Sequence, residues 1–283
     1  MDTIQAILLG LLQGVTEFLP ISSSAHLVAA QAFLGVESPG VIVEVALHFG
    51  TLLAILVVFG RPLLQLVRDG VLGGLVLLRS GSMRDAEQRA PLFATALAVA
   101  VGTVPVTIVG VAFEEAVERA FDSLWSAGAF LCVTGLILLG SRSAPRVRTA
   151  RVGPGRGLAI GLAQAVALLP GVSRSGITIT AGYFAGVERG EAARFSFLLA
   201  VPALAGALVW KLRHGLQTAL AGASAGQRTI QVGVLASGTL VAALSGTVCL
   251  LLLLRVVEKG RLHWFAAYCL PAGALLMVAG ALS

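Results

Sequence analysis

The chain has 283 residues, 57% of them hydrophobic and 12% charged, with a mean hydropathy of +0.92; soluble domains carry about 25% charged residues, so an ordinary water-soluble fold is excluded. The formal net charge of +6 does not indicate nucleic acid, because much of the Arg and Lys lies in short segments between apolar stretches, the topogenic pattern of a membrane protein. No long polar block intervenes, so residues 1–283 are read as a single membrane domain.

A membrane-spanning helix needs roughly 20 apolar residues. In chain order, Met1-Asp2-Thr3 lacks the basic region of a signal peptide, so the N-terminus is expected to be retained. Residues 4–19 and 25–34 are apolar but separated by a break with Pro20 and three serines. Residues 41–59 make the first full span. The mixed segment 61–78 is predicted to lie at the interface or to form an elbow. Spans follow at 91–112 and 124–140, then a second interrupted pair at 158–169 and 175–185, broken at Pro170. Residues 192–210, 230–254 and 264–282 complete the spans. The fold class is therefore an all-α polytopic membrane protein with about six spanning helices and two broken pairs. Each half of a broken pair is too short to cross comfortably, so both pairs are predicted to be re-entrant; kinked spanning helices are the rival reading.

Arg61, Arg68, Arg79, Arg84 and Arg89 precede the second span, and Arg142, Arg146, Arg148, Arg151 and Arg156 follow the third. The turn between those spans carries Glu114, Glu115, Glu118 and Asp122 against Arg119. The positive-inside rule puts the Arg-rich loops in the cytoplasm, the acidic turn outside and both termini outside. Arg255, Lys259 and Arg261 then fall inside, while Lys211, Arg213 and Arg228 fall outside, against the rule. The first broken pair enters from the outer face and the second from the cytoplasmic face. Trp125, Trp210 and Trp264 stand at span edges and mark interfaces. Cys132, Cys249 and Cys269 occur singly within spans, without metal-site spacing, and read as small core residues.

The chain is internally repetitive. The segment Gly10-Leu-Leu-Gln13 through Pro20 and Ser22 can be laid on Gly161-Leu-Ala-Gln164 through Pro170 and Ser173 with one residue of slippage. Residues 1–140 and 155–283 are read as two repeats, each with one broken pair and three spans. An odd span count makes the two copies antiparallel, the inverted-topology repeat whose broken helices build a site near the bilayer midplane.

Ionisable groups at membrane depth are costly, so Glu17, His26, Glu44, His48 and Arg174, with Arg194 at the margin of its span, are functional candidates. Ser22, Ser23, Ser24 and His26 lie where a half-helix starts, a place for backbone N–H groups and the helix dipole to meet an anion. In the second loop Gly171 and Gly176 allow close backbone approach, and Ser173, Arg174, Ser175 and Thr178 offer a guanidinium and hydroxyls to phosphate oxygens. Two such loops converging from opposite faces suit a diphosphate. Simpler readings stand beside these: the serines as ordinary caps, Glu17 as a structural partner of Arg174, and Glu44 with His48, one turn apart, as mutual support.

The segments Gln13-Gly-Val-Thr-Glu17-Phe-Leu-Pro-Ile-Ser-Ser-Ser-Ala-His26, Pro170-Gly-Val-Ser-Arg-Ser-Gly-Ile-Thr178 and Phe195-Ser-Phe-Leu-Leu-Ala-Val-Pro202 resemble the bacterial undecaprenyl-diphosphate phosphatases, the bacitracin-resistance family. The resemblance covers essentially the whole chain. It implies a multi-pass enzyme of the bacterial inner membrane that hydrolyses the C55 lipid diphosphate to the monophosphate carrier of cell-wall synthesis. Gln13 and Glu17 fall on the family's Glu/Gln-x-x-x-Glu motif, His26 on its histidine, and residues 170–178 on its Pro-Gly-x-Ser-Arg-Ser-x-x-Thr motif. The resemblance also implies a divalent cation, Mg or Ca. Members with Glu at the first position have two carboxylates there, whereas this chain offers Glu17 alone, and the metal ligands stay open.

The expected chemistry is in-line attack on the terminal phosphorus. Glu17, Ser23, His26 and Arg174 are the catalytic candidates: Ser23 as nucleophile, Glu17 as its base, His26 as acid or alternative nucleophile, and Arg174 neutralising charge. Gln13, Ser22, Ser24, Ser173, Ser175, Thr178, Gly171 and Gly176 are expected to bind substrate, with Glu44 and His48 supporting. The partners are the polyprenyl diphosphate and membrane lipids, with no nucleic acid, and a homodimer is allowed. Because broken helices in inverted repeats also build secondary transporters, a carrier or flippase of isoprenyl phosphate is the alternative.

Overall fold

The computed structural model describes residues 2–34, 41–121, 123–145, 149–221 and 232–282. Met1, Asp122, Arg146, Arg148, Arg228 and Ile230, which entered the readings above, lie outside the described residues. Among those described the chain is helical, with no β-sheet and one isolated bridge between Thr149 and Val187. The helices are α1 (Thr3–Phe18), α2 (Ser23–Leu34), α3 (Val41–Ser80), α4 (Met83–Arg89), α5 (Phe93–Ala112), α6 (Glu114–Phe121), α7 (Leu124–Gly140), α8 (Pro154–Val166), α9 (Arg174–Phe184), α10 (Arg189–Ala221), α11 (Val232–Glu258) and α12 (Ala266–Leu282).

Six of these are long and apolar enough to cross a bilayer, over Ile42–Ser80, Phe93–Ala112, Leu124–Ser143, Arg189–Arg213, Val232–Glu258 and Leu262–Leu282. The chain is a multi-pass membrane protein. Its surface agrees with a hydrocarbon solvent: Leu136, Leu240, Leu244, Val278 and Leu275 are exposed, while Gln13, Ser22, Thr134, Ser173, Ser175 and Ser196 are buried. An apolar core that also holds polar side chains, inside a surface of exposed large apolar ones, is what a hydrocarbon solvent permits.

One expected element is corrected. Residues 61–78 are not a separate interfacial segment or elbow; they continue α3, which runs 40 residues through Pro62. Proline removes one intrahelical donor and disfavours the interior of a helix, but this stretch is held from outside. Asp69 Oδ2 accepts the backbone N–H of Leu92 at 3.0 Å, just before α5, and Phe93 packs against Gly73. At 1.5 Å per residue α3 is about 60 Å long, twice the hydrocarbon thickness, so one crossing does not use it up.

Glycine governs how the spans meet. Gly10 of α1 faces the backbone of Gly238 on α11, and Gly14 faces Ala242, Ser245 and Gly246. Gly161 of α8 faces the backbone of Gly102 on α5, and Gly157 faces Ala98. Gly128 and Gly273 bring α7 against α12 in the same way. Without the hydrophobic effect between spans, close backbone approach at small residues supplies the packing. Each opening helix of a broken pair therefore packs against a span from the other half of the chain.

The broken helices are short: about 24 and 18 Å for α1 and α2, and about 20 and 16 Å for α8 and α9, against about 30 Å of hydrocarbon. Their breaks fall at residues 19–22 and 167–173, and these two loops approach one another.

Candidate active site

The two loops use one local design. In the first, Ser22 caps α2: its Oγ accepts the Ala25 N–H at 3.3 Å and lies 3.0 Å from Ser24 Oγ. In the second, Ser173 caps α9: its Oγ accepts the Gly176 N–H at 3.2 Å and lies 3.3 Å from Ser175 Oγ. Ser is a favoured N-cap because its hydroxyl satisfies a backbone donor that the first turn leaves free. Each loop makes its sharp turn with positive φ, at Ser22 (67°) and at Gly171 (104°). Ser22 is the one non-glycine with positive φ among the described residues, a strained conformation for a side-chain-bearing residue.

The loops are joined directly. The Gly171 N–H donates to Ser24 Oγ at 3.1 Å. A β-carbon on Gly171 would strike the Ala127 carbonyl, and one on Gly176 would lie 3.3 Å from Pro20 Cβ. These glycines thus act by letting the backbone in. Thr134 of α7 holds the second loop at two points, its hydroxyl donating to the Gly171 carbonyl at 2.8 Å and accepting the Ser173 N–H at 3.0 Å.

Glu17 is the meeting point. It sits near the C-terminal end of α1, one turn after Gln13, which donates through Nε2 to Oε2 at 3.0 Å. Ser23, the first residue of α2, donates from Oγ to the same oxygen at 2.8 Å. Arg174, the first residue of α9, donates through Nη2 to Oε1 at 2.8 Å. The residue just past each cap therefore reaches one carboxylate, Ser from one half and Arg from the other. The Glu17 and Arg174 side chains are 7% and 16% exposed, and at this burial breaking the pair leaves an expensive unpaired charge. Two polar atoms here remain buried without a partner, Arg174 Nη1 and Gln13 Oε1. The first is a cationic donor and the second an acceptor, so each has an unfilled hydrogen-bonding position in the site.

His26 lies three residues after Ser23, on the same face of α2. Its Nδ1 is 2.7 Å from the Ser22 carbonyl and its Nε2 is 2.6 Å from Tyr268 Oη of α12. A carbonyl only accepts, so Nδ1 carries the hydrogen. Thr178 is buried one turn into α9, with its hydroxyl donating to the Arg174 carbonyl at 2.6 Å and lying 2.6 Å from Ser196 Oγ of α10. These contacts tie α9 to α10 and support Arg174 from behind.

Glu44 and His48 do not satisfy each other through their side chains. Glu44 pairs with Lys211 of α10, and His48 Nδ1 lies 2.9 Å from the Glu44 backbone carbonyl. The i, i+4 spacing places the ring over that carbonyl rather than beside the carboxylate, which finds an ammonium on the neighbouring helix instead. Trp210 Nε1 donates to Glu114 at 2.7 Å, and Arg261 stacks over Trp264 at 4.4 Å. The three cysteines are free thiols.

Thr134, Ser196 and Tyr268 were not singled out by sequence reasoning. Each is a hydroxyl residue inside an apolar span, and such residues usually bond only their own helix; isolation in hydrocarbon was the available signal for Thr134 and Tyr268, and Ser196 also lies in the family-like segment 195–202.

Comparison with known proteins bears on what this arrangement does. A model of the family described as "Bacitracin resistance protein BacA" matches residues 6–275. An undecaprenyl-diphosphatase of Geobacter sulfurreducens is 42% identical over 284 residues, covering 98% of each chain. Those of Desulfosudis oleivorans and Desulforapulum autotrophicum are 40% and 39% identical over 282 and 285 residues, covering 99% of each chain.

Proposed function

The chain belongs to the bacitracin resistance protein BacA family, and we infer from that premise that it is a membrane phosphatase. It hydrolyses undecaprenyl diphosphate to undecaprenyl phosphate and inorganic phosphate, which returns the lipid carrier to cell-wall synthesis and underlies bacitracin resistance. The observation that carries a mechanism is the convergence on Glu17 of Ser23 and Arg174, each the first residue of its half-helix.

Ser23 Oγ is the nucleophile. Its O–H already points at Glu17 Oε2, so the proton passes to the carboxylate as Oγ attacks the terminal phosphorus. The bond to the bridging oxygen breaks, and undecaprenyl phosphate leaves. Water then attacks the phosphoserine, giving a proton to the now neutral His26 while Glu17 returns its proton to Ser23 Oγ, so phosphate leaves and Ser23, Glu17 and His26 are restored. Arg174 holds Glu17 with Nη2 and has Nη1 unpaired, so one guanidinium links the base to the phosphate oxygens and offsets the charge of phosphoryl transfer. Backbone N–H groups at the starts of α2 and α9 add to the anion site. His26 is the acid for the leaving group. It is a poor nucleophile here, because both ring nitrogens are already hydrogen-bonded.

A divalent cation, Mg or Ca, fits this site only as a guest of the substrate. No three His, Cys, Asp or Glu side chains gather among the described residues, and Glu17 already accepts three hydrogen bonds. Gln13 Oε1, which has no hydrogen-bond partner, and the Glu17 carboxylate are the protein oxygens that would hold an ion otherwise coordinated by phosphates and water, as Mg commonly is. Such an ion would neutralise diphosphate charge.

The same reading places the chain in the inner membrane, with both termini outside. Residues 1–140 and 155–283 are inverted repeats, and the two broken pairs enter from opposite faces as re-entrant hairpins; the exchanged glycine contacts and the short half-helices support this. Purified protein in detergent should release phosphate from undecaprenyl diphosphate, with label trapped on Ser23. A carrier or flippase would release none, and label on neither Ser23 nor His26 would favour direct attack by water.

A further inference from the structure

Among the hydrogen bonds described, the only side chain from outside the two broken helix pairs that bonds a proposed catalytic group is Tyr268. It belongs to the first turn of α12 and lies 242 positions along the chain from His26. Its hydroxyl is 2.6 Å from His26 Nε2, and the two rings are stacked 9° from parallel with centroids 5.7 Å apart. The contact is anchored independently, because the next residue, Cys269, is buried and donates through Sγ to the Pro20 carbonyl at 3.4 Å. The start of α12 is thus seated on the first loop at two successive residues.

With Nδ1–H committed to the Ser22 carbonyl, the imidazole has one nitrogen left for chemistry, and Tyr268 occupies it. A hydroxyl both donates and accepts, so it can bond Nε2 whether or not that atom carries a proton. Tyr268 is also 46% exposed, and Ser23, His26 and Arg174 are partly exposed, so its hydroxyl is not sealed off from an arriving headgroup.

The geometry points to Tyr268 as a catalytic residue that relays the His26 proton to the leaving group. As the bond from phosphorus to the bridging oxygen breaks, the Tyr268 Oη–H passes to that oxygen. The Nε2 proton of the imidazolium passes to Oη, so tyrosine is neutral before and after and histidine ends neutral. Ser23 and His26 share one face of α2, so the nucleophile and this acid pair face the same bound diphosphate.

This inference rests on the acid role of His26 given above, and one set of measurements separates the two. Tyr268→Phe keeps the ring, its stacking and the fold, and removes only the hydroxyl. The kcat for phosphate release from undecaprenyl diphosphate should fall about 10²-fold or more, the range of general acid catalysis, with KM and melting temperature close to wild type. His26→Ala should lose a similar factor, and the double variant should be no slower than the worse single variant, since both act in one transfer. Wild-type kcat in Tyr268→Phe while His26→Ala is impaired would overturn the relay alone, as would losses that multiply in the double variant. Wild-type kcat in His26→Ala would overturn the role of His26 and the relay with it.

Discussion

Glu17→Gln tests the centre of the site most directly. The substitution conserves shape, so α1 keeps its packing against α11, but it alters both jobs of the carboxylate. Glu17 accepts hydrogen bonds from Gln13, Ser23 and Arg174. An amide has one accepting end, so at least one of those donors must face an NH2 group. Nor can the amide take the Ser23 proton. A positioned general base is worth about 10²–10⁴ in rate, or roughly 2.7–5.4 kcal/mol at 1.36 kcal/mol per tenfold. Steady-state phosphate release should therefore show kcat reduced by that factor with KM little changed. Ser23→Ala abolishes the same step, so Glu17→Gln combined with Ser23→Ala should be no slower than Ser23→Ala alone. Arg174 would lose a buried partner, and breaking such a pair costs about 3–5 kcal/mol in stability, so melting in detergent must show the variant folded at the assay temperature. Glu17→Gln retaining kcat within about threefold of wild type, or losses that multiply in the double variant, would refute the assignment.

Other expectations follow from packing and from the ion pairs. Gly10→Ala and Gly161→Ala should each destabilise the fold by about 1–3 kcal/mol or more, because the added methyl meets the backbone of Gly238 or Gly102; thermal unfolding in detergent reads this, and equal stability would disprove the close crossings. Thr134→Val should cost about 1–3 kcal/mol by leaving the Gly171 carbonyl and the Ser173 N–H unsatisfied, and should lower phosphatase activity by loosening the loop that carries Arg174. Lys211→Met should cost at most about 1 kcal/mol, since the Lys211 and Glu44 side chains are 46% and 25% exposed. Full phosphatase activity in that variant would agree with an ion pair that stands apart from catalysis, whereas a large loss of kcat would draw Glu44 into the site.

The spans, the two broken helices and the residues Glu17, Ser23, His26 and Arg174 were legible in the sequence because hydrocarbon is an unforgiving solvent. Twenty apolar residues in a row have few other uses, and a Pro-Ser break or a lone Arg among them is conspicuous on cost alone. The capping serines were legible as well, since an N-cap is a local relation between residues three apart. The continuation of α3 through Pro62 was not, because it depends on Asp69 reaching Leu92 and on Phe93 covering Gly73, contacts that a local propensity does not contain. For the same reason the sequence offered Glu44 and His48 as partners, whereas folding brings Lys211 to Glu44. Which oxygen of Glu17 each donor takes, the hold of Thr134 on the second loop and the placing of Tyr268 on His26 were all decided by tertiary structure. Hydrophobicity and capping are written into short windows of sequence, but a hydrogen bond between residues 26 and 268 exists only after small residues have let the helices between them pack.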